Sequence, residues 1–251
     1  MIIGCFTIYN EADRWLDACL NHHKNFVDEL FIYDDQSTDN SVDIALKYTS
    51  NVIVRNSKDS SFIENESQFR SNAWREMSKY FSLRDQDDWI LCLDADEFFI
   101  SNNGNERETL NSMIEYCNRP VKKKCYDSFK ISIPEIWAVD GVVPMVRIDG
   151  AWAKNFHPRF VRYKKDFSFL DKKMACGSVP TYALQNMYSY MSLAHILHFG
   201  YAIENDRIKK YNNYSSMKDH GHNKNHIESI MQEPALAEYS GPIPKFWRGF
   251  K

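Results

Sequence analysis

Along the first 120 residues, short continuous apolar runs alternate with stretches whose apolar positions recur at helical spacing. Ile2 to Ile8 is apolar at nearly every position, the pattern of a strand covered on both faces. Asn10 is then placed to cap a helix, with Ala12, Trp15, Leu16, Cys19 and Leu20 forming one core-facing stripe. A second strand is predicted over Leu30 to Tyr33. Asp39 or Ser41 caps a helix running to about Tyr48, and Asn51 to Arg55 forms a third strand. The order so far is β-α-β-α-β, which predicts parallel pairing through crossover helices. A long helix from about Glu66 to Phe81 sets Phe69, Ala73, Met77 and Tyr80 on one face. The strand Trp89 to Leu93 ends in Asp94-Ala95-Asp96-Glu97, and Leu110, Met113, Ile114 and Cys117 mark a further helix that Pro120 closes.

After residue 120 the pattern becomes β-rich and aromatic, with strands expected near 127–138, 142–148, 157–163 and 190–199 and a helix from about Glu204 to Met217. The fold class is therefore α/β, with a Rossmann-like, mostly parallel central sheet flanked by helices and a β-rich second half. Three segments follow: 1–120, 121–222 and a tail, 223–251, expected to wrap the surface within one structural domain.

Composition narrows the class. With 251 residues, 43% of them hydrophobic, the chain has material for a sizeable core, which excludes a disordered chain. No stretch approaches eighteen apolar residues, and the first residues lack a basic flank and a long apolar run, so neither a spanning helix nor a leader is expected. Six cysteines without a C-x-x-C pair read as buried thiols of a reducing, cytoplasmic setting. The sequons at Asn65 and Asn213 accordingly carry little weight. The net charge of -3 conceals an asymmetry. Residues 1–120 hold 11 basic and 22 acidic side chains, and residues 121–251 hold 20 and 12. An acidic half that holds a cation, facing a basic half that meets an anionic substrate or surface, is one reading; ordinary surface variation is the other.

Ligands of open parallel sheets bind at the carboxyl ends of strands. Here those ends carry Thr7, Tyr9, Asn10 and Glu11, then Asp34-Asp35-Gln36-Ser37-Thr38-Asp39, then Asp94 and Asp96. Like charges gathered on one rim need a cation or hydrogen-bond donors. Two carboxylates two residues apart project to one side of an extended chain end, and hard oxygen ligands of this kind suit Mg²⁺ or Mn²⁺.

Strand-Tyr9-Asn10-Glu11, the Asp34-Asp35-x-Ser-Thr-Asp39 turn, Arg70 on the third helix and Leu93-Asp94-Ala95-Asp96-Glu97-Phe98-Phe99 together resemble a family 2 glycosyltransferase of the GT-A fold. His195-Ile-Leu-His198-Phe-Gly200-Tyr201, followed by Arg207, Lys209, Lys210 and Tyr211, is similar to the closing segment of such enzymes. The resemblance implies a nucleotide-sugar donor, most simply a UDP-sugar, and transfer to an acceptor hydroxyl with inversion. It implies that Thr7, Tyr9 and Glu11 border the base and ribose, that Asp35, with Asp34, bonds the base or ribose, and that Arg70 approaches the base or phosphates. Asp94 then faces ribose and metal, Asp96 ligates a divalent ion, His198 is the third protein ligand, and the helix of Lys209 lies near the diphosphate. The ion bridges the phosphates and stabilises charge on the leaving diphosphate.

Two features depart from the family pattern. Gln36 stands where glycine is usual, so either the backbone differs there or Gln36 reads the base. The acidic pair that commonly supplies the base is absent, and so is the Q-x-x-R-W sequence of processive synthases, which points to non-processive transfer. The candidates for deprotonating the acceptor are Glu135, Asp149 and His157. Glu135 is preferred, because an acid among apolar residues beside Trp137 is expected to be desolvated and its pKa raised. Trp137, Trp152, Phe156, Tyr163 and Tyr182, with Arg147, Arg159 and Arg162, suit either a core or a site for a sugar or phosphate-bearing acceptor. His220, His222 and His226 lack a fourth ligand at zinc spacing and are not read as a zinc site. Lysine runs at 122–124, 164–165 and 172–173 read as solvated loops or as a peripheral membrane contact, and no nucleic-acid motif accompanies them. The competing classes are a non-catalytic carbohydrate or partner-binding module and a nucleotidyltransferase. The latter usually carries a glycine-rich phosphate loop where Tyr9-Asn10-Glu11 stands.

Overall fold

A computed structural model describes residues 1–119, 125–139, 143–188, 193–216 and 224–244. In chain order the elements are β1 (Ile2–Ile8), α1 (Leu16–His23), β2 (Glu29–Asp34), α2 (Ser41–Leu46), β3 (Val52–Val54), α3 (Glu66–Phe81), β4 (Trp89–Asp94), β5 (Glu97–Ser101) and α4 (Glu106–Asn118). They continue with β6 (Ser128–Ser132), β7 (Ile136–Ala138), β8 (Met145–Arg147), a 3-10 turn (Gly150–Lys154), β9 (Phe156–Arg162), α5 (Thr181–Gln185), β10 (Met187–Tyr188), β11 (Ala194–His198), α6 (Glu204–Ser216), α7 (Lys224–Ser229) and β12 (Leu236–Glu238).

The main sheet has the order β3-β2-β1-β4-β9-β6-β11-β5. β3, β2, β1 and β4 are parallel, as the β-α-β alternation predicts. In β1, Ile2, Phe6 and Ile8 join the core that includes α1 and α4, while Ile3 and Cys5 join the core of α3, so the period of two feeds both layers. The second half then enters the same sheet: β9 pairs antiparallel with β4 and β6, and β11 pairs antiparallel with β5.

This order forces a curl. Four strand spacings separate β4 from β5, about 19 Å in a flat sheet. Only Ala95 and Asp96 lie between Asp94 and Glu97, a reach of at most ~11 Å. The sheet therefore bends until β5 begins where β4 ends, and the acidic turn lies at the seam. Glu97, buried at this seam, accepts from the Asp94 backbone N–H at 3.1 Å and from Arg159 of β9 through both guanidinium edges, at 2.6 and 3.0 Å. Burial pushes the Glu97 carboxyl up, and Arg159 opposes it.

Several local expectations are corrected. Asn10 caps nothing: it adopts a left-handed conformation (φ 52°), its side chain accepts from Thr38, and α1 starts six residues later without a side-chain cap. α2 stops at Leu46. α3 has the expected bounds, with Asn65 accepting from the Gln68 N–H as its cap, but Tyr80 is 52% exposed and Trp74 takes a place in the buried face. The 127–138 stretch splits into β6 and β7 around Pro134, which has no N–H for a ladder, and β7 joins β8 and β12 in a second, three-stranded sheet. β5, buried at every position, makes the Glu97-Phe98-Phe99 stretch a strand of its own that runs on to Ser101.

Candidate active site

A cleft of about 270 Å³, close to the lower end of ligand sites at roughly 300 Å³, opens at the carboxyl ends of β1, β2 and β4. Register sets its floor: Thr7 lies beside Asp94, and Ile8 beside Asp34. Thr7, Tyr9, Glu11, Asp35, Asp94 and Asp96 line it from the first half. His198 at the end of β11 and Tyr201, Lys210 and Tyr214 line it from the second. Tyr9 and Ile63, both about half exposed, form an apolar lip with Phe62.

Asp96 is the electrostatic centre. Its Oδ1 lies 3.5 Å from His198 Nε2, and its Oδ2 lies 3.5 Å from Arg14 Nη2 and 3.6 Å from Lys210 Nζ. Burial alone raises a carboxyl; here Lys210, His198 and Arg14 outweigh it and hold Asp96 well below the ordinary carboxylate range. Gly200 makes the gathering feasible, because a Cβ at that position would come within less than 3.0 Å of Lys210 Nζ, His198 Nε2 and Asp96 Oδ2. Glu11 shows the opposite balance: burial and the Asp96 charge push its carboxyl up to about 7 against Arg14 and Lys210.

The side chains of the rim divide by position. Thr7 Oγ1 donates to Asp94 Oδ1 at 3.3 Å, and Arg70 Nη2 lies 3.6 Å from the same oxygen while its Nε donates to Glu66 at 2.8 Å. Arg70 is thus buried beneath the cleft and does not line it. Asp34 is buried outside the cleft and accepts from the Ser37 N–H at 2.9 Å. Asp35 lines the cleft but is held by Arg55 and by the Phe62 N–H at 2.9 Å, which fixes the lip. Gln36 adopts the left-handed backbone that glycine would supply, with φ 62°. Its side chain bonds the Arg55 guanidinium and carbonyl rather than the cleft.

Glu135 is not a desolvated free acid. It is 3% exposed and accepts from Asn155 at 2.6 Å, with His198 Nδ1 2.6 Å from its other oxygen. Burial raises it, but His198 and Asn155 prevail and hold its pKa below the usual value, the reverse of expectation. His198 moves upward to about 10, because Glu135 and Asp96 overcome its burial. Asp149 is ion-paired with Arg147 at 2.7 Å, and His157 is exposed on β9; neither lines the cleft. Lys209 faces outward on α6, whereas Asp206, Lys210 and Tyr214 share the inner face at i, i+4, i+8 spacing. That spacing was available to sequence reading as the signal for Lys210. Arg14, which sequence reading passed over, stood three residues after Glu11, within side-chain reach across the turn that precedes α1.

The aromatic set is mostly core. Trp137, Trp152 and Tyr163 are buried, and Tyr201 stacks on Trp137 with centroids 5.1 Å apart. Arg159 serves the seam, and Arg147 lies over the Trp137 ring. The His220 and His222 positions and the 122–124 lysines fall outside the described residues. Among the described residues, no three His, Cys, Asp or Glu side chains converge as a metal-binding group, and no helix is long and apolar enough to cross a membrane.

Residues 5–103 match the family model of Glycosyl transferase family 2. No curated protein matches the chain. Among solved structures it is similar to S. aureus TarS 1-349, with a TM-score of 0.51 and 15% identity over 92% of this chain and 69% of that one. The longer S. aureus TarS structure aligns with a TM-score of 0.51 and 16% identity over 92% of this chain and 42% of that one. TarS 1-349 in complex with UDP aligns at a TM-score of 0.46 with 14% identity, over 92% and 69% of the two chains. The curled, mostly parallel sheet is thus that of the GT-A fold. Within that fold, residues 5–103 carry the sequence pattern of family 2 glycosyl transferases.

Proposed function

We propose that the chain moves a sugar from a nucleoside diphosphate donor, with UDP as the nucleotide, to a hydroxyl of a sugar or phosphate-bearing acceptor. We take the transfer to be inverting and non-processive, as the family resemblance implies. The observation that carries this reading is the cleft in which carboxylates following β1, β2 and β4 face the cations of β11 and α6. The lip of Tyr9, Phe62 and Ile63 suits a planar base, and Asp35 and Asp94 beside it suit ribose or base hydrogen bonds. Lys210 suits the leaving diphosphate, whose developing charge needs fixed donors in a partly desolvated site.

The divalent ion implied by the resemblance fits two of the three residues expected. Asp96 and His198 converge under Gly200, a donor pair that phosphate oxygens would complete, as is usual for Mg²⁺ or Mn²⁺. Asp94 is engaged by Thr7 and Arg70, which supports a ribose role. When bound, such an ion neutralises charge on the diphosphate as a Lewis acid. Glu135 orients the His198 ring, the usual support of a metal-ligating imidazole. Five of the six cysteines are buried and all are free, which supports a cytoplasmic setting. The lysines at 164–165 and 172–173 keep a peripheral membrane contact within this reading.

The test is thermal shift and calorimetry with UDP, GDP, CDP, ADP and TDP, each with Mn²⁺ and with EDTA. Manganese-dependent stabilisation by UDP is expected, because a ligand that binds the native state alone raises its stability. UDP-sugar hydrolysis should follow. No shift with any diphosphate would overturn the reading, and binding without hydrolysis or transfer on an acceptor panel would favour a binding module.

A further inference from the structure

We infer that Arg14 is a phosphate-reading residue of the cleft, a specificity determinant that favours a phosphorylated nucleoside over the bare nucleoside; the inference rests on the nucleotide-sugar reading. A guanidinium has five N–H donors in a fixed plane, and Arg14 divides them in a directed way. Nε donates to Asp206 of α6 at 3.1 Å, and Nη1 donates to both oxygens of Glu11, at 2.7 and 2.9 Å. These anchors come from different halves of the chain and immobilise the group. The third edge, Nη2, is buried, has no hydrogen-bond partner among the described residues, and belongs to a side chain that lines the cleft.

That unspent edge sits 3.5 Å from Asp96 Oδ2, and Lys210 Nζ sits 3.6 Å from the same oxygen. Arg14 and Lys210 thus meet at the Asp96 carboxylate, and both side chains line the cleft beside it. With Nε and Nη1 held by carboxylates, Nη2 is left to give a charge-assisted N–H to one phosphate oxygen, a stronger bond than one between neutral groups. The loop is joined to α6 through Nε and braced internally through Nη1, so neither of these hydrogen-bonded anchors uses Nη2.

The test is ligand-observed NMR titration, which also reads weak binding, of UDP and uridine against the full chain, its Arg14→Met and Arg14→Lys variants, and Asp206→Asn, with melting temperatures recorded for each. Arg14→Met should weaken UDP at least about tenfold, the scale of a charge-assisted hydrogen bond, while uridine changes less than about twofold on that scale. Arg14→Lys should recover part of the loss. Asp206→Asn, which frees the guanidinium without removing it, should cost UDP less than Arg14→Met does. Equal weakening of UDP and uridine, or unchanged UDP binding in a folded Arg14→Met protein, would overturn the inference while leaving the donor reading intact. Wild-type protein that binds neither ligand would overturn both.

Discussion

The carboxylate side of the cleft stands on the parallel strands β1, β2 and β4, each carrying its carboxylates at or just after its own end, whereas its cationic side stands on β11 and α6, about 100 residues after β4 in the chain. The first side is built locally: each carboxylate follows a buried strand, and strand ends are where this sheet type gathers ligand groups. The second side is built by insertion, because β9, β6 and β11 must enter between β4 and β5 before His198 and Lys210 can reach Asp96. The charge asymmetry between the halves thus has a physical outcome. Acids from the half with 22 acidic side chains meet cations from the half with 20 basic ones, while Arg14, Arg55 and Arg70 pair with carboxylates of their own half and Arg14 also reaches Asp206 of the other.

The comparison breaks most severely at the seam. Arg159→Met leaves Glu97 buried without its guanidinium, a loss of about 3–5 kcal/mol. A urea titration should show a lower midpoint at unchanged slope and a single transition, because both halves share one sheet. Two separated transitions would mean that the halves fold independently. Gly200→Ala should act on the site instead. Its methyl pushes apart Lys210, His198 and Asp96, and donor hydrolysis should fall on the order of 100-fold, the scale of small misplacements in active sites. Hydrolysis at the wild-type rate would show that the cradle is not where chemistry occurs.

Two histidines, one from each half, sharpen the contrast through pH. His23 is fully buried and kept neutral, with its pKa well below 6.5 because burial and the neighbouring His22 disfavour its charge. Unfolded chains bind that proton more readily, so stability falls as pH drops below 6.5, by up to about 1.4 kcal/mol per pH unit. His198, raised to about 10 against burial by Glu135 and Asp96, behaves oppositely. Its contribution is complete below 6.5 and is lost as pH rises toward 10. Urea midpoints of the metal-free protein, taken in EDTA from pH 5 to 10, should show the acid slope reduced by His23→Gln and the alkaline slope reduced by His198→Gln. If either substitution leaves its slope unchanged, that histidine's assignment is wrong.

The smallest effect is expected at Gln36→Gly. Relief of the left-handed backbone offsets glycine's entropy and the lost bonds to Arg55, leaving stability within about 1 kcal/mol. UDP affinity should hold, and a fall by an order of magnitude would show that Gln36 reads the base.

What could be read in advance follows the same division. The alternation of β1, β2, β3 and β4 with helices, α3 from Glu66 to Phe81 and the rim of Thr7, Asp35, Asp94 and Asp96 are encoded by local periodicity and by position after a strand. The pairing of β5 and the locking of Glu135 depend on partners far away in sequence, which no local pattern reports, whereas Pro134 marked the split of 127–138 locally. Glu135 illustrates the limit: the apolar neighbours correctly indicate burial, but the sign of its pKa shift was set by His198, 63 residues away. Lys210 over Lys209 was decided by helical phase, which periodicity does encode, and Arg14 by ion pairs that join the two halves.

The antiparallel pairing of β4 with β9 also has a temporal side. Ribosomes deliver roughly 5–20 residues per second, so β4 emerges about 3 to 14 seconds before the strand that covers its open edge. During that interval Trp89, Ile90 and Leu91, the residues that later pair with Arg162, Val161 and Phe160, present an apolar edge able to add a foreign strand. The acidic stretch Asp85-Gln86-Asp87-Asp88 immediately ahead of it is suitably placed to discourage that encounter while the remainder of the sheet is being made.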